Sequence, residues 1–158
     1  MPVEEIDYLD PVQAFTPWAG QAWSMLFDSA RPDSVLGRYS YICVAPFQTI
    51  TVTGGKLFVD GRAGEMDPFA CLEALLAKHK TPRVPELPAF QGGAAGYIGY
   101  EMARYLERID APGTDDMLMP DMAMGLKRRS SRCGSCGKSG LRRAAWLAEQ
   151  GRSGLGRQ

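Results

Sequence analysis

Polar and apolar positions alternate with period two along Gln48-Thr49-Ile50-Thr51-Val52-Thr53 and again along Lys56-Leu57-Phe58-Val59-Asp60. Alternation of this kind puts every second side chain on one face of a strand. Gly54-Gly55 stands between the two runs as a two-residue connection that tolerates positive φ, so the segment predicts a β-hairpin. Upstream, Arg38 to Ala45 has the aromatic and β-branched content of a strand, and Pro46 ends it. Trp23 to Asp28 is a short apolar run that passes into a Pro-, Asp- and Ser-containing loop over 28–34.

The period then changes. Asp67-Pro68 supplies an N-cap followed by proline at the first helical position, where a missing N–H costs nothing. Phe69, Leu72, Leu75 and Leu76 share one helical face, and Lys78 and Lys80 sit at the end that favours cations. Thr81 to Pro88 holds three prolines and reads as a connector. Phe90 to Tyr100 is rich in glycine and aromatic residues, and Met102 to Arg108 has the length of a short helix. Strands, hairpin, helix, strand and helix in this order predict an α+β domain with a largely antiparallel sheet and packed helices.

Composition changes the picture at one point. The 158 residues carry 18 basic and 18 acidic side chains, but residues 1–126 hold 9 Lys and Arg against 17 Asp and Glu. Residues 127–158 hold 9 basic residues against Glu149 alone, and contain no Val, Ile, Phe, Tyr or Thr. A segment so poor in apolar side chains is not expected to offset the entropy of ordering it, so 127–158 is expected to be a disordered basic tail after a 1–126 domain. No stretch reaches the roughly 18 apolar residues of a membrane span. The acidic N-terminus lacks the basic and apolar regions of a signal peptide. Cys43 and Cys71 fall within apolar patterns and read as buried thiols of a reducing compartment, which makes a cytoplasmic location the expectation.

Candidate chemistry is sparse. The glycines of Gln91 to Glu101 could cradle a phosphate, but no Lys-Ser/Thr pair follows and the spacing is not that of a dinucleotide site. A closely packed strand or turn is the alternative. Cys133-Gly134-Ser135-Cys136 is a CxxC without the second ligand pair that zinc requires, and His79 has no acid or base partner near it in sequence. Asp115, Asp116 and Asp121 form an acidic cluster that meets no metal-ligand spacing. The basic tail could bind nucleic acid by counterion release, with steep salt dependence, but its single aromatic, Trp146, and lack of a recognisable motif do not favour that partner. The residues alone show no catalytic set.

Several segments resemble, in order, the N-terminal region of aminodeoxychorismate synthase component I. They are Trp23 to Ser29, Gly37-Arg38-Tyr39-Ser40-Tyr41-Ile42 with Ala45-Pro46, and Phe90 to Tyr97 with Gly99-Tyr100-Glu101. Leu106-Glu107-Arg108 and Met119 to Leu126 follow. Anthranilate synthase component I shares this domain; the Gly-Gly-Ala-Ala-Gly run and the Tyr-Glu pair look more like the folate enzyme. The resemblance implies an incomplete N-terminal part of the chorismate-utilising fold and a tryptophan pocket built from Phe27, Ser29, Leu36, Gly37, Arg38, Tyr39 and Ser40. It implies a parent reaction in which chorismate is aminated to 4-amino-4-deoxychorismate on the way to 4-aminobenzoate and folate. The parent would use magnesium and a glutamine amidotransferase partner subunit.

The family pattern breaks at Lys127. Its acid/base residues, magnesium-binding glutamates and chorismate contacts belong to a later region, so no catalytic residue and no cofactor is assigned to this chain, which is expected to be inactive alone. An abrupt change to Arg, Gly and Ser is what reading a GC-rich gene out of frame produces, and a truncated, frameshifted product is the expectation. Two alternatives are a fragment of anthranilate synthase component I and a stand-alone tryptophan-binding module.

Overall fold

A computed structural model describes residues 3–7, 9–28, 39–85, 87–110, 118–127, 133–137 and 143–147. In chain order the strands are β1 (Val3–Asp7), β2 (Met25–Phe27), β3 (Tyr39–Cys43), β4 (Gln48–Thr53), β5 (Lys56–Val59) and β6 (Arg62–Gly64). They continue as β7 (Gly93–Ile98), β8 (Met122–Lys127), β9 (Cys133–Gly137) and β10 (Arg143–Leu147). Two α-helices, α1 (Pro11–Phe15) and α2 (Pro68–Lys78), and a 3₁₀ helix over Tyr100–Tyr105 accompany them. The strands form two five-stranded sheets, ordered β1-β10-β9-β3-β2 and β6-β5-β4-β8-β7, and every pairing is antiparallel. The α+β architecture read from the sequence is therefore present, as two sheets.

Local chemistry explains the best-defined elements. Gly54 and Gly55 take φ of 55° and 76°, the left-handed pair that a two-residue hairpin turn requires, and they pair Thr53 with Lys56. Asp60-Gly61 repeats the device with φ of 50° and 76° and turns β5 into β6. The Asp60 carboxylate is tied back to the first strand of the hairpin. It accepts from the Thr49 N–H at 2.8 Å and from Gln48 Nε2 at 3.1 Å. Asp67 caps α2 as its position predicts, accepting from the Ala70 N–H at 2.9 Å. The buried side of α2 differs in detail from the reading above. Pro68 and Cys71 are its buried residues and Leu76 is exposed, because the sheet meets the side of the helix that carries Cys71 rather than Leu76.

Ile50, Val52, Leu57, Met122 and Leu126 of the second sheet are buried with Cys71 of α2 and Met102 of the 3₁₀ helix, and Phe69, Leu72 and Leu75 close over them. Burial pushes the Cys71 thiol up from its usual range. The opposite face of the same sheet meets the first sheet through a smaller cluster of Ala95 and Phe90 against Cys43 and Met25. Tyr41 adds an edge-on contact to Phe90 with ring centroids 5.9 Å apart.

Of the segment expected to be a disordered tail, the structure describes Lys127 and residues 133–137 and 143–147. β8 extends to Lys127, which is buried, and 133–137 and 143–147 are strands lying between β1 and β3. Ladder hydrogen bonds join backbone groups and do not depend on side-chain hydropathy, so edges offered by β1 and β3 can recruit strands of poor apolar content.

The two halves of the second sheet are stapled at one end. Tyr105 Oη donates to the Gly55 carbonyl at 2.9 Å, and the Gly55 N–H donates to Asp121 Oδ2 at 3.3 Å. Burial, then the negative charges of Asp121 and Asp67, raise the Tyr105 phenol above its ordinary value, with Arg104 opposing. A raised phenol pKa favours the neutral form in the folded state. Its stabilisation is complete below about pH 10 and is lost as pH climbs through the folded value. Thermal melts over a pH series should therefore show melting temperature falling more steeply above about pH 10 in the wild type than in Tyr105→Phe. Equal slopes would show that this hydroxyl carries none of the alkaline instability.

A second prediction concerns Gly96. A Cβ there would overlap the carbonyl oxygen of Ala123 and lie 2.9 Å from Met124 Cα, and backbone cannot swing aside as a side chain can. Gly96→Ala should lower the unfolding free energy by about 1–3 kcal/mol, read as a shifted urea midpoint. An unshifted midpoint would show that β7 does not sit this close to β8.

Candidate ligand site at the β2–β3 connection

β2 and β3 run antiparallel with Met25 opposite Cys43, Leu26 opposite Ile42 and Phe27 opposite Tyr41. This register brings the end of β2 beside the start of β3, so the two ends of the connection between them are neighbours. Phe27 lies at one end with its side chain exposed, and Tyr39 and Ser40 lie at the other. The Ser40 hydroxyl is buried at 1% exposure and donates to Asp28 Oδ1 at 2.6 Å. That short bond to a carboxylate is of the stronger, charge-assisted kind, and it closes the mouth of the connection. Tyr39 and Tyr41 stack obliquely with centroids 6.3 Å apart, on the face of β3 opposite to Ser40.

Of the seven candidate pocket residues, the structure describes Phe27, Tyr39 and Ser40, at neighbouring positions of β2 and β3, with Phe27 and Tyr39 on one face of the pair and Ser40 on the other. Ser29, Leu36, Gly37 and Arg38 lie outside the described residues. Asp28 was not among the residues singled out for the site. Its signal was its place as the polar end of an apolar run, directly before the loop. An anionic oxygen oriented by a buried hydroxyl can take a ligand with an ammonium group.

The other candidates resolve into structural parts. The glycine-rich stretch forms β7, the packed-strand alternative. His79 ends α2 with its ring edge-on to Phe47 at 4.8 Å. Asp121 holds the Gly55 N–H, while Asp115 and Asp116 lie outside the described residues. The CxxC falls in β9. Among the described residues no group of three or more His, Cys, Asp or Glu is gathered to hold a metal ion. Among them, too, no helix is long and apolar enough to cross a membrane.

Comparison with known proteins bears on the whole chain. No protein-family model matches it. It is 32% identical over 127 residues to anthranilate synthase component 1 of Pseudomonas aeruginosa, an alignment covering 75% of this chain and 26% of that protein. It is 35% identical over 120 residues to aminodeoxychorismate synthase component 1 of Klebsiella aerogenes, covering 71% of this chain and 26% of that one. The crystal structure of anthranilate synthase component I from Streptococcus pneumoniae superposes with a TM-score of 0.61 at 24% identity. That superposition covers 95% of this chain and 32% of the other, and it shows a shared fold. The chain thus spans about a quarter of the length of the curated relatives it matches. It is a partial homologue of the component I proteins of anthranilate synthase and aminodeoxychorismate synthase.

Proposed function

We propose that this chain is the tryptophan-pocket segment, residues 1–126 with an added tail, of an aminodeoxychorismate synthase component I. Its whole protein would aminate chorismate in the cytoplasm, using ammonia from a glutamine amidotransferase subunit. No catalytic residue of that reaction is assigned to this chain. The run Gly92-Gly93-Ala94-Ala95-Gly96 with Tyr100-Glu101 supports the folate-pathway member. The relatives include both members of the family, so anthranilate synthase component I is the second reading.

The observation that carries the binding role is the Asp28–Ser40 hydrogen bond at the β2–β3 connection. Asp28 would meet the ammonium group of tryptophan, and Ser40 would hold the Asp28 carboxylate in place. Removing a hydrogen bond to a charged group removes about 1.5–3 kcal/mol, which is roughly a tenfold to hundredfold loss of affinity.

Calorimetric titration of the full chain with tryptophan should give saturable binding that weakens at least tenfold, about 1.4 kcal/mol, in Asp28→Asn. Indole-3-propionate, which lacks the amine, should bind more weakly than tryptophan to the wild type and equally to both proteins. A folded chain, shown by a cooperative melt, that gives no saturable heat with tryptophan would sink the binding role. Equal affinity for tryptophan and indole-3-propionate would remove Asp28 from it.

A further inference from the structure

A cavity of about 590 Å³ opens where the C-terminal end of α2 and the segment after it meet the start of β7 and the end of β8. It shares no residue with the β2–β3 site. Its volume is that of a small-molecule pocket. Lys78, Lys80, Arg83 and Lys127 contribute to its wall, and no Asp or Glu does. Through Leu126 the chain has nearly twice as many acidic as basic residues, so a wall with cations alone is not what composition would deliver by default. Lys127 is 2% exposed and lies in the ladder opposite Gly93.

The remainder of the wall is apolar and braced. Phe47 and Leu126 line it, and the His79 ring packs edge-on against Phe47. Arg83 is followed by a segment that the buried Gln91 amide fastens in place. Gln91 Oε1 accepts from the Val84 N–H at 2.9 Å, and its Nε2 donates to the Val84 carbonyl at 2.7 Å and the Pro88 carbonyl at 3.1 Å. Gly92 and Gly93, with φ of 139° and 123°, line the site without a Cβ to fill it. Cations on one side and an aromatic-aliphatic wall on the other match a molecule that is itself two-sided.

We propose that this cavity binds a small organic carboxylate whose body is an apolar ring, with the carboxylate among the lysines and Arg83 and the ring against Phe47 and Leu126. A bare inorganic anion would use only the cations, and a neutral ring only the wall.

The test is titration calorimetry of the full chain with 4-methylbenzoate, with its neutral isostere 4-methylbenzamide and with sodium phosphate. Saturable binding of 4-methylbenzoate is expected, at least tenfold tighter than that of the other two. Its affinity should fall as salt rises from about 50 mM to about 500 mM, because the attraction is screened. Arg83→Ala and Lys80→Ala, both at exposed positions, should each weaken it by about threefold to tenfold, the range of one charged contact near solvent. Lys56→Ala, on the hairpin, and Asp28→Asn should leave it unchanged. Absence of saturable binding would overturn the proposal. So would equal binding of the amide, phosphate binding as tight as the carboxylate, or an affinity indifferent to Arg83→Ala in a chain whose melt is still cooperative.

Discussion

The seating of β8 between β4 and β7 is the constraint on which the rest of the second sheet depends. Along β8 the residues Met122, Ala123, Met124, Gly125 and Leu126 alternate large and small. The large ones fall on the side of α2, where Met122 and Leu126 are buried with Ile50 and Val52. The small ones fall on the side of the first sheet. A Cβ on Gly125 would come within 3.0 Å of Pro46 and 3.5 Å of Trp23. Gly125 is paired with Ala95, which itself packs against Cys43. One strand therefore serves two packing regimes, a filled core under a helix and a close approach of sheets, and its side-chain volumes are sorted accordingly. Gly96 extends the same demand to β7, whose backbone lies too near the Ala123 carbonyl to admit a side chain.

That sorting explains which parts of the fold could be read beforehand. The Gly54-Gly55 hairpin announces itself twice, by polarity alternating along its strands and by glycines at the positive-φ positions. Helix α2 does so through its cap and its period. β8 alternates in volume instead of polarity, so hydropathy sees an unbroken apolar run and no period. Asp60-Gly61 is as strong a turn signal as Gly54-Gly55, but β6 has only three residues, all exposed, and shows no apolar pattern to attach it to. β9 and β10 lie further from reach. Their assignment rests on which sheet edges stand open after the rest has folded, a property of the assembled backbone that no local window contains.

The β2–β3 site shows the same division between local and assembled information. Phe27 and Tyr39-Ser40 are twelve or so positions apart, and composition treats them as two unrelated strand ends. Antiparallel pairing of Leu26 with Ile42 makes them neighbours. Asp28 acquires a role only through that register, because Ser40 reaches it across the connection and not along the chain. A resemblance to a family points at the serine and the aromatic residues by position. It does not indicate that the buried hydroxyl spends its proton on a carboxylate. In the proposed site, Asp28 is the group that would face a ligand and Ser40 the group that would position it.

The two candidate sites are opposite in charge, and this follows from where the chain's few cations are placed. Four of the ten basic residues in 1–127 line the cavity beside α2, while the β2–β3 connection carries a carboxylate. Lys78 and Lys80 come at the end of a helix, where exposed carbonyls favour positive charge for reasons of stability alone. Arg83 has no helix end to favour it and is brought by a loop that a buried glutamine braces. Helix-end stability accounts for two of these positive charges, and the anion proposed for the cavity would give Arg83 the same rationale.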